Sequence, residues 1–247
     1  MSLSEDLIRW IKNQVKEAGK EGVVLGLSGG LDSACVAVLC KKALGENLLG
    51  LIMPCESNLE DEKFVNLLTE EFNVKTEAVA LDAVYKELTG ILPPAGKMAK
   101  ANLKPRLRMT VLYYFANKLN YLVAGTGNKS ELTVGYFTKY GDGGVDILPL
   151  GNLLKTEVRK LAEELGIHGD IIKRTPTAGL WEGQTDEGEL GMSYEELDEA
   201  IISMENAGKP AVSQEAINKV RILNKKSEHK RLPVSVFEKK EGESSGC

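Results

Sequence analysis

Val23-Val24-Leu25-Gly26-Leu27-Ser28-Gly29-Gly30-Leu31-Asp32-Ser33 runs from an apolar stretch into a glycine turn, and residues 34–43 continue with helical spacing. A short apolar run bounded by glycines suits a strand buried on both faces, as parallel strands are. The paired glycines let the chain turn tightly with its N–H groups bared, and the helix start behind them adds partial positive charge. With the Ser28 and Ser33 hydroxyls these groups form an anion cradle sized for a phosphate. A carboxylate at Asp32 would repel that phosphate unless a divalent cation lay between them, so Asp32 reads as a Mg²⁺ ligand. A glycine turn with an N-capping Asp looks the same locally, but the strand–loop–helix order favours the cradle.

The alternation continues on both sides of this loop. Upstream, Ser2-Leu3-Ser4-Glu5 is a capping box, followed by Leu7, Ile8, Ile11 and Val15 at helical spacing, with Gly22 ending that helix. Downstream, Gly45 closes the helix, and residues 48–53 form a second buried strand ended by Pro54. Asn58 is placed to cap a helix carrying Phe64, Leu67, Leu68 and Phe72. A third strand is expected over 76–81, a short helix over 84–88, a loop over 93–96, and a helix from Pro105 to about Leu119. Residues 121–125 and 145–149 complete five strands, and 155–165 is an amphipathic helix. This order predicts an α/β fold: a doubly wound, mainly parallel five-stranded sheet with helices on both faces, Rossmann-like. Ligands are then expected at the carboxyl ends of the strands. Residues 174–192 are polar, hold four glycines and show no period. Helices over 194–206 and 213–226 follow, so that 1–240 forms one domain and 241–247 an unstructured tail.

Composition narrows the functional classes. The 247 residues carry 31 Lys+Arg and 36 Asp+Glu, a net charge of −5, which disfavours a nucleic-acid or anionic-membrane partner. Cys35, Cys40, Cys55 and Cys247 have no CxxC spacing, so neither a disulfide framework nor a zinc module is indicated. The apolar run 34–40 is far too short to span a bilayer, and Glu5 and Asp6 stand where a secretory signal needs basic, then apolar residues. A reduced, cytoplasmic protein is expected.

Gly26-Leu27-Ser28-Gly29-Gly30 also fits G-x-S-x-G, a nucleophile elbow with Ser28 as nucleophile and His229 following in chain order. That serine-hydrolase reading leaves Asp32 and Ser33 without a purpose. No Walker A loop is present; residues 90–97 have the wrong spacing.

The Ser-Gly-Gly-x-Asp-Ser loop behind a first strand resembles the pyrophosphate-binding loop of N-type ATP pyrophosphatases, which adenylate their substrates. Later segments choose among the members. Arg106 and Arg108 stand two apart near a helix start, and Arg suits phosphate or carboxylate. Gly125-Thr126-Gly127-Asn128-Lys129-Ser130-Glu131 follows the fourth strand. Gly135-Tyr136-Phe137-Thr138-Lys139-Tyr140-Gly141-Asp142-Gly143-Gly144-Val145-Asp146 comes next. Together with Pro176-Thr177-Ala178-Gly179-Leu180-Trp181, Gln184-Thr185-Asp186-Glu187 and His229-Lys230-Arg231, these blocks resemble the ammonia-dependent NAD synthetases over 25–231.

The resemblance implies that Gly26 to Ser33 bind ATP, Ser28 to Ser33 its phosphates, that Asp32 and Glu131 hold Mg²⁺, and that Thr126, Lys155 and Thr177 contact ATP. It further implies that Arg106, Lys139, Asp146, His229 and Lys230 contact deamido-NAD, and that Asp142 accepts a proton from ammonium. Lys155 would join the phosphate clamp. Many relatives carry a basic residue after the second strand, whereas this chain reads Ile52-Met53-Pro54-Cys55-Glu56-Ser57, which leaves apolar and backbone contacts through Met53. Cys55 reads as an incidental small residue. The expected partners are ATP, deamido-NAD, ammonia and a second copy of the chain. The segment 174–192 is expected to close over a water-sensitive acyl-adenylate. A tRNA-modifying ligase on the same loop is the rival, and the acidic balance speaks against it.

Overall fold

A computed structural model describes residues 2–57, 59–181, 183–206 and 211–238. The expected cap Asn58, the expected tail 241–247 and Cys247 lie outside the described residues. The chain begins α1 (Leu3–Glu17), β1 (Gly22–Gly26), α2 (Leu31–Leu44), β2 (Leu48–Ile52), α3 (Leu59–Phe72) and β3 (Thr76–Ala78). It continues through α4 (Asp82–Ile91), α5 (Lys97–Ala101), α6 (Leu103–Leu119), β4 (Tyr121–Val123), α7 (Lys129–Val134) and α8 (Lys155–Leu165). It ends with α9 (Gly169–Ile172), α10 (Asp186–Leu190), α11 (Tyr194–Glu205), α12 (Gln214–Lys226) and α13 (Glu228–Arg231).

The four strands form a parallel sheet in the order β3-β2-β1-β4. Val23, Leu25 and Leu27 face one side, where α1, α2, α3 and α8 bring Ile11, Leu39, Leu68 and Leu161. Val24, Leu49, Leu51 and Val123 face the other, against Tyr85 of α4 and Phe115 of α6. Period-two side chains thus feed two cores, as a sheet covered on both faces requires. A third apolar cluster, centred on the fully buried Tyr194 and Leu197, joins α7, α10, α11 and α12 beyond the sheet edge.

Three expectations need correction. Among the described residues the sheet has four strands, not five: the 145–149 stretch contributes a single bridge, Ile147 to Ala124. The Asp146 carboxylate accepts the Val123 N–H at 2.8 Å, taking the donor a fifth strand would have used, and Pro149 has no N–H to offer. Gly22 does not end α1, which stops at Glu17; it opens β1, where an added Cβ would lie 2.2 Å from the Asn47 carbonyl oxygen. Finally, 174–192 is not wholly irregular, because Thr185 caps the short helix α10.

Candidate active site

The strand order reverses between β1 and β4, and such a reversal opens a crevice at the strands' carboxyl ends. The phosphate-loop candidate leaves β1 into that crevice. Gly29 has φ +73°, and a Cβ there would come within 2.6 Å of the Asp61 carbonyl oxygen, so only glycine fits. The Ser28 hydroxyl accepts from the Gly30 N–H (3.3 Å), and the Ser33 hydroxyl donates to the Gly30 carbonyl (2.9 Å). Ser28 has no histidine partner among the described residues, and His229 bonds through its backbone carbonyl, which accepts from Lys139. The hydrolase arrangement is absent there.

Two carboxylates meet across the crevice, set by one asparagine. Asn128 caps α7: its Oδ1 accepts the Glu131 N–H (3.0 Å), while its Nδ2 donates to Asp32 Oδ1 (3.1 Å). Lys155 arrives at the first position of α8. Ser130 accepts the Lys155 N–H (2.9 Å), and Asp198 of α11 accepts the Thr156 N–H (2.8 Å), satisfying two donors of that helix start. The buried Lys155 ammonium pairs with Asp32 and lies 3.7 Å from Glu131 Oε1 and 5.1 Å above the Tyr194 ring. The Tyr194 hydroxyl donates to Asp186 Oδ2 (3.0 Å) and stands 3.4 Å from Glu131 Oε1. Asp186 Oδ1 is buried and has no hydrogen-bond partner among the described residues.

Burial pushes the Glu131 and Asp186 carboxyls up. Burial also works against the Lys155 charge, but Asp32 and Glu131 outweigh it and hold the ammonium above its usual range. Three carboxylates around one ammonium leave the site short of positive charge. Among the described residues no group of three or more His, Cys, Asp or Glu is arranged to hold a metal. Asp32 and Glu131 nonetheless suit Mg²⁺, which is typically bound by one or two carboxylates with substrate phosphates and water. The donor set therefore fits a metal that depends on the nucleotide.

A cavity of about 700 Å³ gathers most of the expected residues: the phosphate loop without Gly29, then Met53, Thr126, Glu131, Asp142, Lys155, Thr177 and Lys230. Met53 reaches Gly26, with its Cε 3.3 Å from where a Cβ would be. Asp142 Oδ1 accepts the Thr138 N–H (2.9 Å) and stays accessible within the cavity. The surrounding protein desolvates that carboxyl and raises it. Lys230 Nζ donates to the Gly135 and Phe137 carbonyls (2.7 Å each).

Arg106, Lys139, Asp146 and His229 stand outside the cavity lining. Arg106 is exposed and donates to the Lys139 carbonyl (3.3 Å), and Lys139 in turn donates to the His229 carbonyl, making a chain that leads to Lys230. Asp146 lies apart, held by Tyr113 (2.9 Å) and Val123. The sequence assigns no role to Asn128, Asp186 or Tyr194, and offers Arg108 only as one of a pair suited to phosphate or carboxylate. The first two sit inside blocks quoted for the resemblance, and nothing marks Tyr194.

Among the described residues no helix is long and apolar enough to cross a membrane. The family model for NAD synthase matches residues 3–234. The NH3-dependent NAD⁺ synthetase of Carboxydothermus hydrogenoformans is 50% identical over 236 residues, covering 93% of this chain and 95% of that protein. A solved NMN synthetase from Francisella tularensis superposes with a TM-score of 0.89 at 35% identity, covering 96% of this chain and 99% of that one. An NH3-dependent NAD synthetase from Campylobacter jejuni does so at 0.84 and 31% identity, over 96% and 100%. Extent, fold and site agree, and the chain belongs to the NAD synthase family.

Proposed function

We propose that this chain is an ammonia-dependent NAD synthetase, a ligase that amidates deamido-NAD and converts ATP to AMP and pyrophosphate. Family membership supports the activity. The observation that carries the chemistry is the Asp32–Lys155–Glu131 cluster at the mouth of β1. A carboxylate is a poor acyl donor, because ammonia cannot displace oxide. Its oxygen attacks the α-phosphorus of ATP, the bond from that phosphorus to the β-bridging oxygen breaks, and pyrophosphate leaves. Ammonia then attacks the acyl carbon, AMP leaves with the acyl oxygen, and the nitrogen's surplus proton passes to the Asp142 carboxylate.

The phosphate loop and the Lys155 ammonium stabilise the charge growing on the departing pyrophosphate. Mg²⁺, when held by Asp32 and Glu131, supplies the positive charge this site lacks. A homodimer in the cytoplasm completes the reading.

The test combines ATP, Mg²⁺ and ammonium with deamido-NAD, or with nicotinate mononucleotide, because one similar solved protein is an NMN synthetase. The dinucleotide is expected to give equal AMP, pyrophosphate and NAD. Release of ADP, or amidation of the mononucleotide alone, rejects the proposal. Asp32→Ala is expected to slow pyrophosphate release at least ~100-fold, in line with the loss of a transition-state contact; release at the parent rate removes Asp32 from the metal site.

A further inference from the structure

Of the three arginines lining the cavity, two are ion-paired: Arg159 with Glu195 and Arg174 with Asp61. Arg108 is not. It stands two residues beyond Arg106 on α6, hence across the helix from it. Its guanidinium holds the loop leaving β2: Nε donates to the Met53 carbonyl (3.1 Å) and Nη2 to the Ser57 hydroxyl (3.2 Å). Neither acceptor carries a counter-charge. Among the described residues Nη1 has no partner, and Asp61, Asp82 and Asp142 act on the guanidinium only from beyond pairing distance. A partly buried cation without its anion is costly. On the wall of a substrate cavity, the substrate can supply that anion.

The position narrows the choice of anion. Met53, whose carbonyl Arg108 grips, packs its Cε beside Gly26 at the start of the phosphate loop. Asp142, the proposed proton acceptor of the acyl step, lines the same cavity, and its charge acts on the guanidinium. Arg108 therefore lines the cavity together with residues assigned to both halves of the reaction.

We infer that Arg108 is a substrate-contacting residue whose free guanidinium N–H groups bind an anionic oxygen at the reacting centre. That oxygen belongs either to the acyl substrate's carboxylate or to the α-phosphate of ATP, the two groups joined in the first step. The assignment rests on the proposed adenylation. A planar fork suits either anion.

The rival is a role confined to pinning the Met53–Ser57 loop, and charge separates the two. Arg108→Gln keeps an N–H donor for the Met53 carbonyl and loses the charge, while Arg108→Lys keeps the charge and loses the fork. With folding checked by thermal melting, kcat/KM is expected to fall about 100-fold in Arg108→Gln and Arg108→Ala, and only about tenfold in Arg108→Lys. A rise in KM for ATP assigns the anion to the α-phosphate, and a rise for deamido-NAD assigns it to the carboxylate. Glutamine performing as well as lysine, all three variants within threefold of wild type, or a common loss with a lowered melting temperature overturns the inference. If wild type binds both substrates but forms no amide, the proposed function fails and calorimetry decides for Arg108. Weaker binding of ATP or deamido-NAD to the Gln variant but not the Lys variant upholds the inference; equal affinities overturn it.

Discussion

Lys155 is the cation on which three carboxylates depend. Removing one partner of a buried pair leaves an uncompensated charge, costing about 3–5 kcal/mol. Lys155→Met is expected to lose stability by that order in urea titrations. The deficit should narrow as pH falls, because protonation of the raised Glu131 and Asp186 carboxyls relieves the repulsion. A deficit constant with pH would show that Lys155 acts by packing instead. Asp142 gives a second pH prediction. Its carboxyl is raised by the desolvation that the surrounding protein imposes on it, so above the unfolded value of about 3.9 the native state binds more protons than the unfolded one. The stability it contributes is then lost as pH rises through the folded value. Asp142→Asn, which keeps an acceptor for the Thr138 N–H, should match or exceed wild-type stability above that window. Its turnover per neutral ammonia should fall at least ~100-fold and lack the acid limb that wild type is expected to show. Undiminished turnover would move proton acceptance to another group.

Elements hold these residues in place, and their legibility varied for local reasons. The β1 loop could be read from the sequence because its glycines and serines act within six residues. Gly29→Ala tests this: a left-handed non-glycine costs about 1–3 kcal/mol, and its Cβ would press on the Asp61 carbonyl. A drop of that size in chemical denaturation, with weaker ATP binding, is expected. The start of α8 was harder, because Lys155 and Thr156 are held by Ser130 and Asp198, which lie 25 and 42 residues away from them along the chain. Arg106 and Arg108 were indistinguishable by residue type. Residues two apart on a helix point different ways, and only packing shows which meets the cavity. The fifth strand failed because one side chain, Asp146, takes a backbone donor. The segment from 174 is held by Arg174 on Asp61 and by Lys104 donating to the Leu180 carbonyl (3.0 Å). Its amides at 177–181 and 183–184 should exchange more slowly when ATP and deamido-NAD bind. Exchange rates unchanged by substrates would reject closure.

At the scale of the whole molecule, the cavity lies where the sheet's two cores meet the third cluster, and Tyr194 links that cluster to the carboxylates. Large apolar side chains stand exposed on two helices that pack together. On α4, Val84 and Ile91 are 52% and 79% exposed, and on the adjacent α6, Tyr114 is 63% exposed. Large exposed apolar groups gathered on neighbouring elements mark contact surfaces more often than bare solvent-facing ones. A twofold pairing of identical chains is the commonest way to cover such a face. The α4–α6 face is accordingly expected to bury at least ~1,000 Å² in a homodimer, the size a stable interface needs. Light scattering should then give twice the 26.9 kDa chain mass, and Tyr114→Lys with Val84→Asp should shift the particle toward the single-chain mass. Because α6 also carries Arg108, separation of the chains should lower turnover along with mass. A wild-type particle of single-chain mass that turns over fully would show that these side chains face solvent and that one chain builds the whole site.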